Sequence, residues 1–93
     1  MLDMNQLLML NTTIVLRGLG DKYWALDTLS GNQYKLNEVS YFILNLLRTP
    51  ASMEQAVGEL LKEYAVARKQ AEIDCDRVLR FAVEKDIVKE VNS

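Results

Sequence analysis

Residues 28–37 read TLSGNQYKLN and predict, in order, a turn, a short strand and the start of a helix. The first half is rich in turn formers, and Gly31 can adopt the positive φ that a tight turn requires. Gln33 to Leu36 alternates polar and apolar residues, which is typical of a half-buried strand. Asn37 can then cap a helix. Because no later strand is predicted, we expect this strand at a sheet edge, where free backbone groups must be protected or used.

The composition indicates one small folded domain, which we place at residues 1–93 with its core at about 12–91. The 93 residues are 49% hydrophobic and 26% charged, with a net charge of −2, so we expect neither nucleic-acid nor membrane binding. Cys75 is the one cysteine and there is no histidine. We therefore expect a cytoplasmic protein that is not an enzyme, with no catalytic residue, metal ligand or cofactor.

The remaining chain predicts strands first and helices afterwards. Two further strands, at 12–17 and 22–27, should form an antiparallel meander with the strand at 33–36. Three helices should follow, and the apolar residues of 86–91 should tuck against the sheet. Leu7 to Leu10 could extend the first strand, fold over the core or contact a partner.

The expected fold is α+β, a three-stranded antiparallel sheet followed by three helices in a winged helix-turn-helix-like outline, with no strand between 39 and 85. The first helix ends near Arg48, the second runs from a capping box at Ser52 and Gln55 to Tyr64, and the third covers about 70–85.

The third helix has two distinct faces at 100° per residue. A core face carries Ala71, Cys75, Val78, Leu79 and Ala82. A separate face carries Ile73, Arg77, Arg80 and Glu84, with Phe81 between the two. This second face could line a groove of mixed apolar and charged character, or it could be an ordinary solvated surface, because single exposed apolar residues are common.

Several runs of sequence resemble PqqD-like proteins. These runs are YWALD at 23–27, SGxxYxLN at 30–37, FILxLL at 42–47, VLxF at 78–81 and IV at 87–88. The resemblance covers about residues 12–91, nearly the whole chain. Two departures are Asp86, where many members have glycine, and residues 1–10, which lie outside the pattern.

The resemblance implies a RiPP recognition element, a domain that binds the leader of a ribosomally synthesised precursor peptide. It implies that the leader adds a strand antiparallel to the third strand, in a cleft bounded by the third helix. The implied partners are that leader and a modifying enzyme, which could be a radical-SAM maturase, a leader peptidase or another enzyme. Pairing of two free edges into a homodimer stays open. The candidate peptide-binding residues are Gln33, Tyr34, Lys35, Leu36, Ile73, Asp76, Arg77 and Arg80.

Three alternatives compete with peptide binding. A winged-helix DNA-binding regulator would read bases with the third helix, but Glu72, Asp74 and Asp76 in its first half would repel phosphates. An enzyme would need an acid–base or nucleophilic constellation, and none is evident. A general protein-interaction adaptor remains compatible with the sequence.

Overall fold

The computed structural model describes residues 3–91 of the chain. The elements, in chain order, are β1 Leu7–Leu10, β2 Ile14–Leu19, β3 Lys22–Asp27, β4 Gln33–Leu36, α1 Glu38–Leu46, β5 Ala51–Ser52, α2 Met53–Glu63, α3 Arg68–Glu84 and β6 Val88–Glu90. The α+β fold class predicted from the sequence is confirmed.

The strands β2, β3 and β4 form the predicted antiparallel meander, in that order across the sheet. Ala25 pairs with Leu16 on one side and with Tyr34 on the other, which sets the register of both pairs. β2 lies two residues later in the chain than the predicted 12–17, since it begins at Ile14 and continues to Leu19. The turn that follows it is at Gly20, which has a φ of 63°. β4 is an edge strand of this sheet, as the sequence predicted.

A second antiparallel sheet, with the order β5-β1-β6, was not predicted. Leu7 to Leu10 therefore forms a strand of its own instead of extending β2. Residues 88–90 pair with this strand and not with the meander. The expectation of no strand between 39 and 85 is wrong at Ala51–Ser52, which pairs with Leu8 and Leu7. Strands of two or three residues are too short to show an alternating pattern, so their pairing depends on contacts between distant parts of the chain.

The helix starts follow the predicted capping chemistry where a polar cap exists. The side chain of Asn37 accepts a hydrogen bond from the Ser40 N–H at 2.8 Å, which begins α1. Ser52 and Gln55 form the predicted capping box of α2, each side chain bonded to the other residue's backbone N–H. α3 begins two residues earlier than predicted, after Ala67, whose methyl side chain gives no capping signal.

The core lies between the sheets and the helices. Four of the five predicted core residues of α3 are fully buried, and Val78 is half-buried at the rim. α1 packs on the inner face of the meander, where Tyr41 stacks on Tyr23 with ring centroids 4.6 Å apart.

Asp86 has a φ of 58°, a conformation that favours glycine and that aspartate tolerates better than most residues, which accounts for aspartate at this position. Within residues 3–91, no helix has the length and apolar content needed to cross a bilayer.

Candidate functional site

The free edge of β4 presents backbone groups from two of its residues. The Asp27 N–H donates to the Asn32 carbonyl at 2.9 Å, which sets the alternation of hydrogen bonds between β3 and β4. Tyr34 and Leu36 therefore bond to β3. The N–H and C=O groups of Gln33 and Lys35 point away from the sheet. These two residues form the available edge.

The side chains of β4 divide between the two faces of the sheet. Leu36 is buried and Tyr34 is half-buried, so both face inward toward the helices. Gln33 and Lys35 are exposed on the opposite, outer face. Tyr34 and Leu36 therefore offer side chains to a cleft on the inner side of the sheet. Gln33 and Lys35 offer backbone groups at its free edge.

A cleft lies between β4 and α3, and we call it the β4–α3 cleft. Its floor is a cavity of about 270 Å³ lined from β4, α1 and α3 by Lys35, Leu36, Asn37, Ser40, Leu44, Arg77, Val78 and Phe81. A groove of about 430 Å³ continues along α3 and is lined by Lys69, Glu72, Ile73, Asp76, Arg77, Arg80, Phe81 and Glu84. The structure thus brings Ile73, Asp76, Arg77 and Arg80 onto one groove.

Phe81 is the main cleft residue that the sequence did not identify. It is 40% exposed and lies edge-on to Tyr34, with ring centroids 6.0 Å apart. This contact joins α3 to β4 at the cleft. The helical wheel placed Phe81 between two faces, and a large exposed aromatic residue at such a boundary was the available signal.

The charges of the cleft are largely compensated. Arg77 pairs with Asp74 at 3.1 Å, and Arg80 pairs with Asp76. The eight groove residues carry three positive and three negative side chains. The arginines predicted as peptide contacts are therefore already engaged within α3, and the exposed apolar groups of the groove are Ile73, at 48%, and Phe81.

The titratable groups with large pKa shifts lie outside the cleft lining. Burial, and then the charge of Asp74, raises the pKa of the Cys75 thiol to about 12. Burial and a 2.8 Å hydrogen bond to Glu38 raise the pKa of Tyr64 to about 12. Among residues 3–91, no group of three His, Cys, Asp or Glu side chains is placed to hold a metal ion. The cleft presents backbone groups of β4, apolar side chains and compensated charges.

Two solved structures share this fold. One is described as TbiB1 in complex with the TbiA(beta) leader peptide, with 24% identity, a TM-score of 0.77, and coverage of 91% of this chain and 99% of that one. The other is a lasso peptide synthetase B1 complexed with the leader peptide, with 24% identity, a TM-score of 0.74, and coverage of 88% and 96%. None of the curated proteins matches this chain.

A protein-family model also matches most of the chain. The model is that of PqqD, the coenzyme PQQ synthesis protein D, and it matches residues 7–88. That range includes all three helices and both sheets up to Val88. It therefore also includes residues 7–10, which the sequence resemblance had left outside the family pattern. The resemblance seen in the sequence is thereby confirmed, and the chain belongs to the PqqD family.

Proposed function

We propose that this protein binds the leader of a ribosomally synthesised precursor peptide and presents it to a modifying enzyme. The observation that carries the proposal is the free edge of β4, which borders a cleft with apolar groups on its opposite wall. The two structures of the same fold are described as complexes with leader peptides, which supports this assignment.

The leader would add a strand to the meander through Gln33 and Lys35. Their N–H and C=O groups supply main-chain hydrogen bonds that do not depend on the leader's sequence. Alternate leader side chains would then point into the β4–α3 cleft, because side chains alternate along a strand. Ile73 and Phe81 would select apolar leader residues there.

Arg77 and Arg80 would contribute less to affinity than the apolar groups. Each is exposed and already paired with an aspartate on α3. The paired aspartate side chains are only 18% and 13% exposed, so a leader carboxylate that displaced one of them would exchange one ion pair for another with little net gain. Asp76, predicted as a contact, would act by holding Arg80 in place.

The proposal gives the protein a binding role with no chemistry of its own. The partner would be a radical-SAM maturase, a leader peptidase or another modifying enzyme. We also propose a cytoplasmic location, because a single cysteine suits a reducing compartment. A second copy paired on the β4 edge would compete with the leader, so leader addition should dissociate any such homodimer.

Amide chemical-shift mapping tests the binding mode, using a synthetic leader of a candidate precursor taken from the genomic neighbourhood. We expect shifts to cluster at residues 33–36 and 73–81. Ile73→Ala should weaken leader binding about tenfold or less, as for loss of an apolar contact. Val66→Ala is the matched control, because Val66 is exposed but lies outside the cleft lining.

Three results would contradict the proposal. Shifts confined to β2 or α2 would place the peptide elsewhere. Equal losses of leader affinity in Ile73→Ala and Val66→Ala would show that the cleft does not contribute to leader binding. Salt-resistant, sequence-specific binding to duplex DNA would instead support a winged-helix regulator.

A further inference from the structure

The outer face of the meander, opposite α1, carries an apolar strip framed by cations. Register places Arg17, Trp24 and Lys35 in one row across the three strands, and Val15, Leu26 and Gln33 in the next row. Val15, Trp24 and Leu26 are each half-buried. Arg17, Trp24, Leu26 and Gln33 line a shallow depression of about 270 Å³. Leu19, beyond Arg17 on β2, extends the apolar surface and is highly exposed.

The charges of this outer face all have one sign. Arg17, Lys22 and Lys35 point outward from the three strands, and no outward-facing strand residue is acidic. None of the three cations forms an ion pair with any residue in 3–91, whereas Arg68, Arg77 and Arg80 all do. The chain as a whole has a net charge of −2, so this positive surface is local.

The apolar strip and its cations favour one kind of binding partner on the outer face over the others. A second copy in a two-fold interface would bring the same cations together, which is unfavourable. Three cations neutralise few phosphates, and a single aromatic residue offers little base stacking, so nucleic acid fits poorly. Tryptophan and arginine are enriched among the residues that contribute most to protein–protein binding, so an apolar patch with Trp24 beside Arg17 fits a protein partner.

We propose that the outer face of the meander docks the enzyme that receives the leader, through an apolar enzyme patch rimmed by carboxylates. This inference rests on the proposed leader-binding function. The leader would lie beside β4, so the outer faces of β2 and β3, with Arg17 and Trp24, stay uncovered in the leader complex. One protein could then hold leader and enzyme at the same time, on opposite sides of one sheet.

The test uses the full chain, the synthetic leader and a purified candidate modifying enzyme taken from the genomic neighbourhood. Leader affinity is measured by fluorescence anisotropy and enzyme affinity by biolayer interferometry at low and high salt. The variants are Arg17→Glu and Trp24→Thr, the latter keeping a good strand former. Lys62→Glu on α2 is the control, since it makes the same charge change at a side chain that is 77% exposed. Circular dichroism and melting temperature verify that each variant is folded.

We expect both outer-face variants to keep leader affinity within about twofold and to weaken enzyme binding by about tenfold or more. Arg17→Glu should also reduce the salt dependence of enzyme binding. The control should change neither affinity. Unchanged enzyme binding in both outer-face variants would overturn the docking surface, even if the leader binds. The docking surface would also be overturned if the unmodified chain bound a single-stranded oligonucleotide and the two outer-face variants lost that binding while keeping enzyme binding. Failure of the unmodified chain to bind leader would contradict the proposed function instead.

Discussion

Cys75 is a buried thiol whose protonation is coupled to folding. It is fully buried on the core face of α3, and burial raises its pKa from 9.0 to about 12. The folded state therefore keeps the proton more tightly than the unfolded state. Its contribution to stability is complete below pH 9 and is lost as the pH rises toward 12. We expect the urea midpoint to fall across this range, and to fall less steeply in Cys75→Ala.

The chemical reactivity of Cys75 provides an independent measurement. The thiolate is the reactive form, so a buried thiol with a raised pKa should be labelled slowly by a water-soluble disulfide reagent. Labelling should become fast once the protein is unfolded in urea. Rapid labelling of the native protein at neutral pH would contradict the buried position.

At the scale of a single element, alternate residues of β4 present free backbone groups at the sheet edge and side chains to the inner face. The Lys35 N–H points away from the sheet, so Lys35→Pro removes a donor from the free edge and none from the pairing with β3. Loss of one hydrogen bond costs about 0.5–1.5 kcal/mol, so leader affinity should fall about two- to tenfold or more. The melting temperature should change little. Isothermal titration calorimetry with the synthetic leader measures the effect.

Two variants serve as controls for that substitution. Lys35→Ala keeps the N–H and should preserve leader affinity, because the side chain lies on the outer face. Tyr34→Pro removes a hydrogen bond to β3 and should lower the melting temperature clearly. An equal loss of leader affinity in Lys35→Ala and Lys35→Pro would show that the side chain, not the edge, carries the contact.

Across the whole molecule, β1 connects three distant parts of the chain. Leu7 pairs with Ser52 and Leu8 with Glu90, so one short strand joins the N-terminal segment, the start of α2 and the C-terminal strand. Leu8 is 1% exposed, and Leu8→Ala should cost about 2–5 kcal/mol in the free energy of unfolding. Such a loss is a large part of the total stability of a small domain. Urea unfolding measures it.

Leu29→Ala is the matched control, because the same truncation occurs at a side chain that is 83% exposed in a turn. It should change the free energy of unfolding by about 0.5 kcal/mol or less. Equal effects at Leu8 and Leu29 would show that the second sheet contributes nothing to stability.

Features that depend on neighbouring residues could be predicted from the sequence alone. Three features are of this local kind: the alternation in Gln33–Leu36, the caps at Asn37 and Ser52, and the apolar face of α3. In each of them, the residues that form the signal lie within a few positions of their neighbours in the sequence. Each reflects a local period or a local hydrogen bond. They were sufficient to predict the meander, the three helices and the grouping of Ile73, Arg77 and Arg80.

Features that depend on distant contacts were decided by the tertiary structure. The pairing of β1 with residues 51–52 and 88–90 joins segments too short to show a pattern, and burial of Leu8 and Val88 stabilises it. The contact of Phe81 with Tyr34 needs α3 to cross beside β4. The ion pairs of Arg77 with Asp74 and of Arg80 with Asp76 depend on rotamers within α3. A sequence pattern shows which face of a helix or strand is apolar. Packing of the core determines which helices and strands meet at that face.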